Sequence, residues 1–200
     1  MTTKYLCIAL SCILAVGLYI PLMIGILRNN LKQNCATWIL WALLDLISLI
    51  SIIVQHGNYT LLVLYVGGCL VVVSALFYTK QFRWTSYETN VFGLVVLCLI
   101  IWYANGPKIA TIASTLAVVI SSFPLMRDSW KDSDLHTIRI YKGYAVANIL
   151  SFYGGKAWTI EDRFYPGVMT LLCILIVMCA KHGNRNSIFF ERVNSLGNCA

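Results

Sequence analysis

Ile20-Pro21-Leu22-Met23 and Phe123-Pro124-Leu125-Met126 are nearly the same phrase written twice in a chain of 200 residues. Each falls late in an apolar run, and each is followed by a basic loop, a second apolar run, a short loop and a third. Internal repetition constrains architecture more than any isolated motif does. One further apolar stretch separates the two copies, so the chain reads as three helices, a connector helix and three more. With a single connector between them, both copies enter a membrane in the same direction. That is a parallel repeat about an axis along the membrane normal.

The runs between these landmarks predict transmembrane helices over residues 5–26, 37–54, 59–78, 90–103, 109–126, 140–153 and 164–180. A span needs roughly 20 apolar residues, so the fourth and sixth are short, and the sixth carries Lys142 and Asn148. Composition demands lipid as solvent: 59% of residues are hydrophobic and 12% are charged, whereas soluble chains are roughly 25% charged. The expected fold is all-α and polytopic. Residues 1–80 form the first three-helix repeat, 81–106 the connector with helix 4, 107–180 the second repeat, and 181–200 a cytoplasmic tail without a fold.

A net charge of +7 orients the chain and does not point to nucleic acid. One side of the seven spans receives Arg28, Lys32, Lys80, Arg83, Arg127, Lys131, Arg139, Lys142, Lys181, Arg185 and Arg192. The other receives only Lys4, Lys108, Lys156 and Arg163. Basic residues stay in the cytoplasm, which places the N-terminus outside and the C-terminus inside. The first run lacks a small-x-small cleavage site and is long for a signal h-region, so it reads as a retained span. The sequon Asn58-Tyr59-Thr60 sits too close to the membrane to be a glycosylation site.

Cys7, Cys12, Cys69, Cys98, Cys173 and Cys179 lie in apolar runs and read as small hydrophobes. Cys35 and Cys199 lack zinc-ligand spacing, and His56, His136 and His182 fall in loops or at span ends, so no metal or haem site is expected. The absence of a Walker motif, a nucleophile elbow and HExxH leaves no signal of an enzyme and implies no cofactor.

Polar residues inside the spans are the functional candidates. At about 1.5 Å per residue, Asp45 sits roughly 12 Å into its helix, near the bilayer midplane, where an ionised side chain is costly. It is a proton-coupling carboxylate, a hydrogen-bonding site for substrate, or a neutral structural acid bonded to a neighbouring helix. The spacing that carries Pro21 onto Pro124 carries Asp45 onto Asn148, and Trp38 and Trp41 onto Tyr141 and Tyr144. Trp41 and Tyr144 each lie one turn from the polar residue of their half, so they can share a cavity with it. All four aromatics, Trp38, Trp41, Tyr141 and Tyr144, can equally be interfacial anchors. Pro21 and Pro124 each remove an intrahelical hydrogen bond and are candidate hinges. Gly67-Gly68 and Ser121-Ser122 permit close helix approach.

Tyr19-Ile20-Pro21 with Arg28, Lys32 and Thr37-Trp38, and Ser122-Phe123-Pro124 with Trp130-Lys131-Asp132, make the chain resemble the SWEET and PQ-loop superfamily of small transporters. The resemblance covers residues 5–180. It implies a three-plus-one-plus-three fold, an outside N-terminus and a substrate site between the halves. Leu22 and Leu125 stand where the PQ-loop glutamine belongs. Tyr65, Gly67 and Gly68 in helix 3, and Thr170 in helix 7, replace the asparagines of the sugar transporters, so the chain looks like a divergent relative. By that correspondence Tyr65 and Thr170 join the candidate site.

These readings lead to a facilitative or proton-coupled carrier for a small polar solute such as a sugar or amino acid. It would work by rocking two three-helix bundles, and homo-oligomerisation is compatible with it. The rival is a non-transporting scaffold, receptor or assembly factor whose loop 127–139 and basic tail bind partners or anionic lipid.

Overall fold

Among the residues described by the computed structural model, 2–28, 34–131 and 135–197, the chain forms seven α-helices. They are α1 (Thr2–Leu27), α2 (Cys35–Val54), α3 (Thr60–Tyr78), α4 (Ser86–Ser121), α5 (Phe123–Lys131), α6 (Leu135–Gly154) and α7 (Ile160–Gly197). Lys32, Asp132, Asp134 and Cys199 lie outside the described residues, as do the side chains of His136, Arg185 and Arg192.

Among the described residues five stretches are long and apolar enough to cross a membrane: Thr3–Leu27, Cys35–Val54, Thr60–Tyr78, Ser86–Lys131 and Ile160–Asn184. The chain is therefore an all-α, multi-pass membrane protein. The helices expected over 90–103 and 109–126 are present but divided differently. They join at Gly106 into α4, and the second continues past an interruption at Ser122 into α5.

At 46 residues, Ser86–Lys131 is more than twice what one crossing needs, since about 20 helical residues cover the hydrocarbon. Gly106 resolves this. Its φ of 79° and ψ of −179° lie in a region open essentially to glycine alone, and Pro107 suits the first turn of the arm that follows. The two arms fold back on each other: the Tyr87 hydroxyl donates to the Ser121 carbonyl, joining the two ends of α4. Both arms flank α2. Thr37 Oγ1 donates to Glu88 at 3.0 Å, Ser48 and Ser114 share a hydrogen bond of 2.6 Å, and Gln55 Nε2 donates to Thr111 at 3.1 Å. Leu40, Leu44 and Ile47 of α2 pack between Val91 and Val95 of one arm and Ala117 and Val118 of the other.

Gly106→Ala is expected to lower stability by about 1–2 kcal/mol, because an L-residue is strained in that backbone region even where its Cβ meets open space. Thermal melting in detergent measures this, with Gly93→Ala as the control. Gly93 is helical and equally uncrowded, so alanine there is neutral or slightly stabilising.

Local signals set the other boundaries. The Asn34 side chain accepts from Ala36 N–H at 3.2 Å to cap α2, and Thr85 with Glu88 forms a capping box on α4. Residues 181–197, expected to be without a fold, instead extend α7. No proline follows Pro166 in this helix, and adding residues to a formed helix is far cheaper than nucleating one. Pro21 lies inside the unbroken α1, whereas Pro124 sits in the first turn of α5 just after the break at Ser122.

α1 packs on α3 and α6, α2 on α3 and α4, and α7 on α4, α5 and α6. Lys4 Nζ donates to the Lys156 carbonyl at 2.8 Å, so the start of α1 meets the end of α6. The Cys35 N–H donates to the Gln81 carbonyl at 2.9 Å, joining the start of α2 to the end of α3. The bundle thus has a basic end, near Arg28, Lys80 and Arg83, and an opposite end bearing Lys4, Lys108, Lys156 and Arg163.

Candidate functional site

Trp38, Trp41 and Asp45 follow one another at i, i+3 and i+7 on α2, and Tyr141, Tyr144 and Asn148 do the same on α6. That spacing puts each set on one helix face, and both faces line a single cavity of about 90 Å³. Tyr19 of α1, Tyr65 and Cys69 of α3, Val118 of α4 and Leu125 of α5 complete one side. Met169, Leu172, Cys173 and Ile176 of α7 close another.

Asp45 is buried, and its Oδ1 accepts a hydrogen bond of 2.9 Å from the Tyr165 hydroxyl, which ties α2 to α7. Asn148 is fully buried. Its Nδ2 donates to the Tyr65 hydroxyl and to the Tyr144 carbonyl, both at 2.8 Å, while its Oδ1 has no partner. Trp41 Nε1 and the Tyr144 hydroxyl are also buried without one. Buried polar groups are normally satisfied, so three orphans around one cavity mark it as a place where a ligand or water completes the bonding.

Aromatic rings form most of the wall. Trp38 meets Trp41 edge-on at 5.5 Å, and Tyr144 meets Tyr65 at 5.8 Å and Tyr19 at 5.9 Å, both edge-on. Tyr19 also donates to the Tyr65 carbonyl at 3.3 Å. It presses on Gly68, where a Cβ would lie 2.1 Å from its ring. Gly68 is thus small because Tyr19 occupies the space, while Gly67 meets nothing. Among the described residues no lysine, arginine or histidine lines the cavity.

The two ends of the site differ. Towards the basic end, a vestibule of about 960 Å³ shares Trp38, Trp41 and Leu125 with the cavity. Arg83 and Asp128 line it together with the buried Glu88. Towards the opposite end the helices are tied together. Asn58, buried and so no glycan acceptor, donates from Nδ2 to the Ser151 carbonyl at 3.3 Å. Gly57 lies so close to the Glu161 backbone that a Cβ would fall 2.4 Å from its carbonyl oxygen.

Of the residues expected in the site, Asp45, Asn148, Trp41, Tyr144 and Tyr65 come together, and Thr170 does not. Its hydroxyl donates to the Pro166 carbonyl at 2.8 Å, and it borders a separate groove near Phe152, Trp158 and Arg163. Being one residue past Met169, it is turned about 100° away from the cavity face of α7. Two tyrosines that the sequence does not assign to the site belong to it, Tyr19 in the cavity wall and Tyr165 on Asp45. A lone intramembrane acid requires a donor, and a search of the span tyrosines for one was the available signal. Among the described residues no group of three or more histidine, cysteine, aspartate or glutamate side chains is placed to hold a metal. No family model, no curated protein and no solved structure matches the chain.

Proposed function

We propose that the chain is a carrier for a small solute, built as two three-helix repeats joined by a connector and working by alternating access between them. The first repeat is α1, α2 and α3. The second is the Pro107–Ser121 arm of α4 continued by α5, then α6 and α7, with the other arm of α4 as connector. The observation that carries this reading is the cavity on which Asp45 and Asn148 meet from corresponding positions.

The helix contacts support it. In each repeat the third helix touches both others, α3 on α1 and α2, α7 on α5 and α6. Across the interface, α1 meets α6 and α2 meets α4, the reciprocal pairing that an axis between equivalent halves requires. A vestibule on the basic side and hydrogen-bonded ties on the other match a state open to the cytoplasm, with the N-terminus outside. Pro21 and Pro124 are the flexure points. A scaffold has no use for unpaired buried polar atoms on a cavity between its halves, so the same site favours the carrier over that rival.

Proteoliposomes test it. Wild-type protein is expected to speed the entry of at least one solute from a panel of sugars, amino acids and amines above the rate in empty vesicles. Asp45→Asn is expected to cut that rate by about tenfold or more, because the side chain keeps its acceptor for Tyr165 but loses the charge that strengthens a hydrogen bond. If no solute crosses faster than in empty vesicles, the carrier reading is wrong.

A further inference from the structure

We infer that the cavity selects a small organic monocation, an alkylated ammonium with a short hydroxylated arm, and rejects sugars and amino acids. The inference rests on the site proposed above for the carrier and specifies the chemistry of its ligand.

Among the described residues the cavity holds one carboxylate and no protein cation. Asp45 receives one hydrogen bond, from Tyr165, and no basic side chain lines the space around it. A buried carboxylate is costly unless a positive charge accompanies it. Among the described residues lining this cavity none supplies that charge, so an ionised Asp45 would take it from the ligand.

The wall has the matching chemistry. Trp38, Trp41, Tyr19, Tyr65, Tyr141 and Tyr144 all border the cavity. Neighbouring rings stand steeply to one another, at 64° for the two tryptophans and 80° for Tyr65 and Tyr144, so they enclose the space on several sides. Aromatic faces carry negative charge density and attract cations, and alkylated ammonium groups are the ligands that aromatic cages hold.

The unpaired polar atoms describe the rest of the ligand. Asn148 Oδ1 is an acceptor, Trp41 Nε1 is a donor, and the Tyr144 hydroxyl is both. One hydroxyl on the ligand can donate to the first and accept from either of the others. A sugar presents many more hydroxyls than this wall can satisfy, and each one left over is a desolvation cost. An amino acid brings a carboxylate that finds no cation and meets Asp45 as a like charge. At about 90 Å³ the cavity is also far smaller than the roughly 300–1,000 Å³ of drug-sized sites, which restricts it to a few heavy atoms.

The test is equilibrium binding to the purified full chain in detergent, read by tryptophan fluorescence and by calorimetry. Three probes of similar size are compared: choline, its neutral carbon isostere dimethylbutanol, and glycine betaine, which keeps the ammonium head but adds a carboxylate. Choline is expected to bind at least about tenfold more tightly than either of the others, and Asp45→Asn to erase that margin over dimethylbutanol. Should Asp45→Asn fail to fold, the wild-type ranking of the three probes decides alone, and Trp41→Leu is expected to weaken choline more than dimethylbutanol. Equal affinity for choline and dimethylbutanol, tighter binding of betaine, or no choline binding by folded protein would overturn the inference. Choline binding without flux in vesicles would sink the carrier and leave this assignment standing. Sugar flux without choline binding would do the reverse.

Discussion

Arg163→Leu is expected to destabilise the protein by about 3–5 kcal/mol, the scale of losing three hydrogen bonds from a charged donor at about 1–3 kcal/mol each, with the more exposed carbonyls partly rehydrated. Arg163 is buried between α6 and α7. Its Nε donates to the Ala157 carbonyl at 2.8 Å, Nη1 to Phe152 at 2.5 Å and Nη2 to Gly155 at 3.1 Å. The last carbonyls of a helix have no partner within it and carry the negative end of its dipole. Through Phe152 Arg163 closes the last turn of α6, and through Gly155 and Ala157 it holds the turn that leads into α7. Its guanidinium also lies 4.0 Å from the Trp158 ring centre and 5.1 Å from that of Phe152. Leucine would take the donor from three carbonyls at once, of which Gly155 is the buried one.

Arg163→Lys separates the charge from the fork. An ammonium keeps the charge but cannot reach three carbonyls in the fixed plane of a guanidinium, so about half the loss is expected to remain. Thermal melting of the detergent-solubilised protein, followed by near-ultraviolet circular dichroism, measures both variants. A leucine variant that melts together with wild type would remove Arg163 from the account of how α6 ends.

Features that depend on periodicity were legible in the sequence. The bounds of α2 and α3 fall within a few residues of the apolar runs 37–54 and 59–78, because uninterrupted apolar helices in lipid have no alternative way to satisfy their backbone. Trp38, Trp41 and Asp45, and their counterparts Tyr141, Tyr144 and Asn148, were legible for a related reason: helical phase fixes which residues share a face once a span is recognised.

Contacts between spans were not legible, because phase within one helix says nothing of its rotation against the next. Thr170 was assigned by correspondence with another family and turned out to be about 100° from the cavity face. Tyr165, five residues after the start of α7, has no counterpart at the matching place in the first repeat, so duplication could not reveal it. Gly106 was read as lying in a loop between two helices. In fact a single residue with positive φ reverses the chain, and sequence does not distinguish that from a short loop.

The pair Tyr165 and Asp45 gives the sharpest test of the charge state on which the site depends. Their bond is 2.9 Å long and joins α2 to α7 beside the cavity. Tyr165→Phe removes the donor and leaves the ring in place, so the loss isolates the hydrogen bond. A bond to an ionised carboxylate contributes about 1.5–3 kcal/mol and one between neutral partners about 0.5–1.5. Tyr165→Phe is therefore expected to cost about 2 kcal/mol in the wild-type background and about 1 kcal/mol or less when Asp45 is already asparagine. The difference is the coupling energy of a double-mutant cycle, which is the clean way to apportion a contact inside a network. Denaturant unfolding of the four proteins in the same detergent supplies every corner. If phenylalanine costs the same in both backgrounds, Asp45 holds its partner as a neutral acid, and the attraction of a cation to this cavity loses its charge.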